Sequence, residues 1–396
     1  MKSSRSAFLI ALGASTAAGT VRRDAFAAAP AGEPYEFHAI VEASGATAFI
    51  GAKQQQVLHV LEDYVNRTGG IKGRPLKYVF HDDETNPQVA VQIVGDLIAR
   101  RVPVILGPGL SAVSQAVFPL VEKNGPVLWC TSPIVKVVPG SYTFMSAPAL
   151  QDVIPVVLRY FYQNGRRNFA LMTSTDASGQ NFEQNFDPAL SRLEFRDAKL
   201  VAREHFNTTD ISVAAQISRI KAANPDVLIT FVTGPGFGTL LHGVNDAGLD
   251  VPVYGSGGNM NIQLMEQYQP FLPKMLYLNA AQGVVQDPTA RPGVRKAQAI
   301  FFDAMKRAGL HVEFLQSLVW DPALVMIECL RTVGPATTAA QIHQYIERLK
   351  DWPGIQGIYD FTKGDQRGLG ENGAALMRWN SARKDWDLVA KGPQYL

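Results

Sequence analysis

From residue 37 onward, short β-rich runs alternate with amphipathic stretches of helical length, and no other feature of the chain limits its fold as severely. Phe37 to Val41 reads as a strand, after which Val57, Leu58, Val60, Leu61, Tyr64 and Val65 recur at the spacing of one apolar helical stripe. Gly69-Gly70 stops that helix. Strands are predicted at 76–80, 102–106 and 127–131, with helices at 87–99 and 111–123 between them. A second set opens with a helix at 151–164 and continues through strands at 169–173, 200–205, 227–232 and 251–254, with helices at 181–193, 211–223 and 237–247. Such alternation builds βαβ units around a parallel sheet, and two sets in tandem predict two α/β lobes, each with its own core. Beyond Leu276 come helices at 291–308, 316–333 and 338–349, then a β-rich tail at 355–361, 374–379 and 386–389. No low-complexity linker separates the sets, so short hinge strands should join the lobes. Ligands of such sheets bind at the carboxyl ends of strands, so two facing lobes enclose one cleft.

Composition narrows the function. Charged residues make up 18% of the chain and hydrophobic ones 46%, which is apolar material enough for two cores. A net charge of +2, without Lys and Arg runs interleaved with aromatics, excludes nucleic acid and an anionic membrane surface as partners and favours a small solute. Residues 1–29 read as an export signal: Lys2 and Arg5 precede an apolar stretch from Ala7 to Val21, and Ala25-Phe26-Ala27 offers small residues for cleavage. Arg22 and Arg23 after that stretch also fit a short membrane anchor. No cysteine near the cleavage site would take a lipid, so no stable membrane insertion is expected after signal cleavage. Cys130 and Cys329 lack CxxC spacing and give no zinc or redox pair; they read as buried free thiols, or as one disulfide in an oxidising compartment.

Catalytic signatures are missing. The first strand leads into Ser44-Gly45-Ala46-Thr47-Ala48-Phe49-Ile50-Gly51, which lacks the GxGxxG spacing a dinucleotide needs, and no GxxxxGK[ST], GxSxG or HExxH occurs. The seven histidines have no metal spacing, so neither metal, cofactor nor enzymatic activity is expected. Gly234-Pro235-Gly236-Phe237-Gly238 is glycine-rich, but its proline reads as a turn at a helix entrance.

Three stretches carry a family resemblance: Val65-Asn66-Arg67-Thr68-Gly69-Gly70-Ile71-Lys72-Gly73-Arg74-Pro75, His81-Asp82-Asp83-Glu84-Thr85-Asn86-Pro87 and Val104-Ile105-Leu106-Gly107-Pro108. Taken by themselves, the glycines read as a helix stop and tight turn, and Asp82 and Asp83 as braces of a loop. Together the stretches resemble the branched-chain amino-acid type of periplasmic substrate-binding protein, which serves ABC importers. Weaker matches are Ser44-Gly45-Ala46, Pro225-Asp226-Val227, Trp320-Asp321 and Gly357-Ile358-Tyr359-Asp360-Phe361, so the resemblance spans nearly the whole chain after the signal. It implies the type I periplasmic-binding fold, an α/β architecture of two doubly wound parallel-sheet lobes joined by three hinge crossovers. Lobe 1 would comprise 30–148 plus 281–358 and lobe 2 would comprise 149–280 plus 359–396. The crossings would fall near 146–150, 278–283 and 356–361. A periplasmic location, a small-molecule ligand and an ABC transporter membrane permease as partner are implied with it.

The resemblance also implies a site. In the family, the helix after the Gly-Pro turn holds a ligand carboxylate; Ser111 and Ser114 are the matching hydroxyls, and a helix N-terminus suits an anion on physical grounds too. Ser111 also reads as a plain N-cap. The loop after the next strand supplies Thr131 and Ser132, with the register open by one or two positions, and Trp129 reads as either core or cleft. Family members that bind amino acids hold the ammonium with a carboxylate after the strand at 251–254, where this chain has Gly255-Ser256-Gly257-Gly258 and Gly257 falls in the acid's place. A family tyrosine is matched by Ser178 in Asp176-Ala177-Ser178-Gly179, and another aromatic position falls near Thr233. Asp176 is the remaining acid that could replace the lost charge. A retained anion end beside a lost cation end predicts a carboxylate without an α-ammonium group, such as an aromatic acid, because a buried ammonium without a counter-charge is costly. Phe49, Ile50 and Trp320, at positions lining the family's cleft, would stack on a ring or else pack in the core. A branched-chain amino-acid binder and a ligand sensor on the same fold are the alternatives. In either binding role, closure of the hinge on ligand is the expected mechanism.

Overall fold

The computed structural model describes residues 30–45, 47–132, 137–146 and 148–392. The expected export signal at 1–29 and the loop residues Pro133 and Ile134 lie outside the described residues. The first half builds β1 (Tyr35–Val41), α1 (Ala48–Arg67), β2 (Leu76–Asp82), α2 (Pro87–Ala99), β3 (Val104–Leu106), α3 (Ser111–Val121), β4 (Val127–Cys130) and β5 (Thr143–Met145). These strands form one five-stranded sheet in the order β2-β1-β3-β4-β5, parallel throughout. Local chemistry agrees with the boundaries. Asn86 accepts from the Gln88 N–H to cap α2, with Pro87 at its first turn. Past α1, Gly70 has φ +63°, and a β-carbon there would lie 2.1 Å from the Arg74 oxygen, so only glycine makes this turn.

The second half builds α4 (Leu150–Gln163), β6 (Asn168–Ser174), α5 (Ala177–Leu190), β7 (Lys199–Phe206), α6 (Ala214–Ala222), β8 (Val227–Phe231), α7 (Pro235–Asp246), β9 (Val253–Gly255), α8 (Ile262–Tyr268) and β10 (Leu276–Ala281). Three helices follow, α9 (Pro292–Arg307), α10 (Phe314–Val333) and α11 (Ala339–Glu347). The tail comprises β11 (Trp352–Gly354), β12 (Gly357–Tyr359), β13 (Ala374–Asn380) and β14 (Asp385–Lys391). The second sheet runs β14-β13-β10-β9-β8-β6-β7, with β13 and β14 antiparallel at one edge.

Both sheets are covered on both faces, which is why their strands read as unbroken apolar runs. In the first, α1, α9, α10 and α11 bury Phe37, Leu61, Phe301 and Trp320 on one side, and α2 and α3 bury Ile40, Val94 and Val117 on the other. In the second, α4 and α5 cover Phe169 and Ile229, while α6, α7 and the start of α10 cover Met172 and Leu278. The chain passes between the sheets after β5, after β10 and before β13. Tyr359, Phe361 and Leu369 all pack in the first core. The third passage therefore lies nearer 370–373 than the expected 356–361.

The tail differs from expectation in one further way. Of the strand predicted at 355–361 only 357–359 is formed, as β12; Ile355 and Gln356 are instead the turn of a hairpin whose other strand, β11, precedes the predicted range. Asp321 of α10 accepts from the N–H groups of Ile355 and Gln356 and from the Tyr359 hydroxyl, which fixes the turn.

Candidate functional site

In each sheet the strand order reverses once, between β1 and β3 in the first and between β6 and β8 in the second. Loops leaving the carboxyl ends of strands diverge at such points and open a crevice. In the first sheet these loops are Glu42 to Thr47, after β1, and Gly107 to Leu110, after β3. Gly107 has φ +89°, and a β-carbon on it would lie 2.1 Å from the Ile40 oxygen, so the turn into α3 presses on β1 and needs glycine.

Helix α3 begins without a side-chain cap. Leu110 stands at the N-cap, so Ser111 is the first helical residue and does not cap. Helix geometry leaves the N–H groups of Ser111, Ala112 and Val113 without intrahelical acceptors. The Ser111 hydroxyl lies 2.9 Å from that of Ser132, and Thr131 Oγ1 accepts from Gln54 Nε2 of α1 at 3.0 Å. The structure thus brings Ser111, Thr131 and Ser132 together at the start of α3.

Ser114 does not join them. It is fully buried with its hydroxyl 2.8 Å from Cys130 Sγ, on the inner face of α3. It lies one turn further along the same face of α3 as Ser111, deeper in the packing against the end of β4. Trp320 is likewise a core residue, 1% exposed, with its ring 4.9 Å from Phe301 and 5.8 Å from Tyr64. Trp129 is core as well, packed on Phe144 and Phe361. On the first turn of α1, Ile50 is buried and Phe49 half-buried.

Glu42 was missed by the sequence reading. It follows β1 directly, is fully buried, and accepts from the Gly109 N–H through Oε1 at 2.9 Å, while Oε2 has no partner. A β-carbon on Gly109 would meet Oε1 at 2.7 Å and Gln54 Nε2 at 2.9 Å, so the ends of Glu42 and Gln54 converge over this glycine. Burial, reinforced by the neighbouring Asp83 charge, pushes the Glu42 carboxyl up to about 7. The signal available in sequence was a lone acid ending an apolar run, at the place where parallel sheets bear their ligand groups. Asp82 braces the loop as expected, accepting from Ala43, Ser44 and Glu84 N–H groups.

The second sheet contributes Ser178 and Thr233, both half-buried. The Ser178 hydroxyl and N–H both donate to Asp176 Oδ1, which also accepts from Gly179 N–H and the Ser174 hydroxyl. Desolvation alone would raise the Asp176 carboxyl, but these bonds outweigh it and hold the group below its ordinary value. Asp176 is thereby occupied as the cap of α5. Thr233 donates to the Ser256 hydroxyl at 3.1 Å. Gly257 is buried, its N–H bonded to Asn279 Oδ1 at 2.8 Å, and a β-carbon on it would lie 2.1 Å from the Asn279 backbone oxygen. No side chain fits at 257 on this backbone.

The two halves meet at α10. Glu313, at its N-cap, pairs with Lys53 of α1 at 2.9 Å and accepts from the Ile262 N–H at the start of α8. Among the described residues no group of three His, Cys, Asp or Glu could hold a metal ion, and no helix is long and apolar enough to cross a membrane. Cys130 and Cys329 are free and buried.

A family model described as periplasmic binding protein matches residues 38–384. A Leu/Ile/Val-binding protein from Rhizobium johnstonii is 19% identical over 348 residues, 87% of this chain and 91% of that protein. A Pseudomonas aeruginosa protein described as binding leucine, isoleucine, valine, threonine and alanine is 22% identical over 225 residues, 56% of this chain and 60% of its own length. Among solved structures, an extracellular ligand-binding receptor from Rhodopseudomonas palustris superposes with a TM-score of 0.77 at 19% identity, covering 90% of this chain and all of that one. A leucine-binding protein from Thermotoga maritima superposes at 0.76 with 16% identity, covering 90% of this chain and 99% of that one.

Proposed function

The chain belongs to the periplasmic binding protein family, in its branched-chain amino-acid type, and on that footing we propose that it is exported, captures a small organic solute between its two lobes and delivers it to the membrane permease of an ABC importer. It performs no chemistry on that solute. The ligand is a carboxylate without an α-ammonium group, aromatic acids being the first class to test. One observation carries this reading: at the position where amino-acid binders of the family place the ammonium's counter-charge, Gly257 sits against the Asn279 backbone with no room for any side chain. The anion end is supported by the uncapped start of α3 beside Ser111, Ser132 and Thr131. With Trp320 in the core, Phe49 and Ile50 are the apolar residues left to meet a ring.

A branched-chain amino-acid ligand is the second reading, favoured by the names of the relatives and by the unpartnered oxygen of Glu42, an acid available from the first sheet. Thermal unfolding against branched-chain amino acids, simple aromatic acids, short aliphatic acids and amides separates the two, since a ligand specific to the folded state raises the midpoint. A shift with acids and none with amino acids is expected. A shift with leucine, isoleucine or valine alone would overturn the first reading.

A further inference from the structure

We propose that Glu42 is itself a ligand contact: its carboxyl takes up a proton and donates it, through Oε2, in a hydrogen bond to the carboxylate of the bound solute. This rests on the acid-binding reading above and adds a residue and a proton to it.

The geometry is specific. Oε1 is held by Gly109 N–H two residues before Ser111, and a β-carbon on Gly109 would lie 3.0 Å from Oε2, so the carboxyl rests against the turn that opens α3. That oxygen is buried and has no partner. An unpartnered polar atom in a buried place is costly, and a ligand group is what would satisfy it. The seat draws an anion, through the helix start and the Ser111 and Ser132 hydroxyls. Two carboxylates side by side cannot both stay ionised, so the arriving acid must share a proton with Glu42.

The surroundings favour that proton. From the end of β2, Asp83 and Asp82 face Glu42 with like charge, and Asp83 Oδ2 is also without a partner. From α1 comes the neutral amide of Gln54, while the adjacent Lys53 is paired with Glu313. From α3 comes Gly109 N–H. From β4 comes the Cys130 thiol, itself pushed up to about 11 by burial and under the field of Arg367. Among the described residues no cation pairs with Glu42, and burial together with the Asp83 charge pushes its carboxyl up to about 7. A neighbouring ligand carboxylate raises that value further, so binding takes up protons above pH 7 and none well below it. Affinity should therefore be level in mild acid and weaken with rising pH, approaching tenfold per pH unit.

The experiment is calorimetric titration of the purified protein with the carboxylate giving the largest melting shift, from about pH 5.5 to about pH 8.5. Each pH is run in two buffers of different ionisation enthalpy, which measures proton uptake directly. Expected are uptake approaching one proton above pH 7 and, in Glu42→Gln, loss of both that uptake and the pH slope of the affinity. Proton uptake by the unmodified protein decides the matter even if the variant fails to fold. An affinity that is constant with pH and without proton uptake overturns the role of Glu42 and leaves the acid-binding reading standing. A reversed slope, with an amino acid as ligand and proton release on binding, means that ionised Glu42 holds an ammonium, and both readings fall. Failure of every carboxylate at every pH removes the acid-binding reading and this one with it.

Discussion

Gly257→Ala tests the packing on which the ligand class depends. Its β-carbon would lie 2.1 Å from the Asn279 backbone oxygen, where ordinary contacts begin at 3.4 Å, so the end of β9 and β10 must part by about 1.3 Å. Neither side yields easily. Asn279 pairs with Leu376 of β13 in the sheet, and its Oδ1 accepts from both Gly257 N–H and the Tyr254 hydroxyl. Forcing one methyl group into such a place costs about 1–3 kcal/mol, which lowers the melting point of a lobe of this size by about 2–12 °C. Gly258→Ala is the control. Its β-carbon would meet the Thr233 methyl at 2.8 Å, a side-chain atom that can move, so its cost should stay within about 1 kcal/mol. Thermal and urea unfolding followed by circular dichroism compare the two directly. If Gly257→Ala unfolds with the parent, or Gly258→Ala is the more damaging, the backbone has room for a side chain at 257. The inference that no acid can stand there is then refuted.

Two further outcomes follow from the same site. Ser111→Ala should weaken ligand binding by about 1 kcal/mol, or roughly fivefold. Ser114→Ala should leave affinity unchanged, because that hydroxyl is fully buried against the Cys130 thiol. Equal losses in a titration of both variants would show that Ser114 reaches the ligand. Burial pushes the Cys130 thiol up to about 11 and the Cys329 thiol up to about 12. Both stay protonated at pH 8, and a thiol-reactive dye should label neither until denaturant is added; labelling of the native protein would contradict their burial.

The fold was legible because its signal is periodic and redundant. Helices such as α2 and α10 combine a stripe with caps or buried length, and parallel strands covered on both faces can hardly read otherwise. β5 escaped notice because three residues, Thr143 to Met145, carry no period. Site residues depend on something sequence does not show, namely which way a side chain turns. Ser111 and Ser114 are three residues apart on one helix, yet one faces a hydroxyl at the crevice and the other a buried sulfur. Trp320 could be assigned to cleft or core from its neighbours in sequence, and packing against Phe301 and Tyr64 decided it. Glu42 was visible as a letter, but its importance lies in a missing partner, which only coordinates reveal.

Two buried acids in this chain make the contrast plain. Asp321 is as deeply placed as Glu42, and burial pushes its carboxyl up to about 6, but both its oxygens are engaged by Ile355, Gln356 and Tyr359. Its burial is offset by those bonds, and its work is to close the β11-β12 turn. Glu42 has one bond, one idle oxygen and like charges for neighbours. An uncompensated group of this kind lowers the protein's stability, by an amount that grows as pH rises from the ordinary value of 4.5 toward about 7 and is level above it. Had stability alone shaped the position, glutamine or an apolar residue would serve better. The cost falls at the single point where the first sheet reverses its strand order, beside an uncapped helix start. Local rules are broken where a site needs them broken. The same physics that makes an unpartnered Glu42 unfavourable makes it responsive to a solute that brings it a partner.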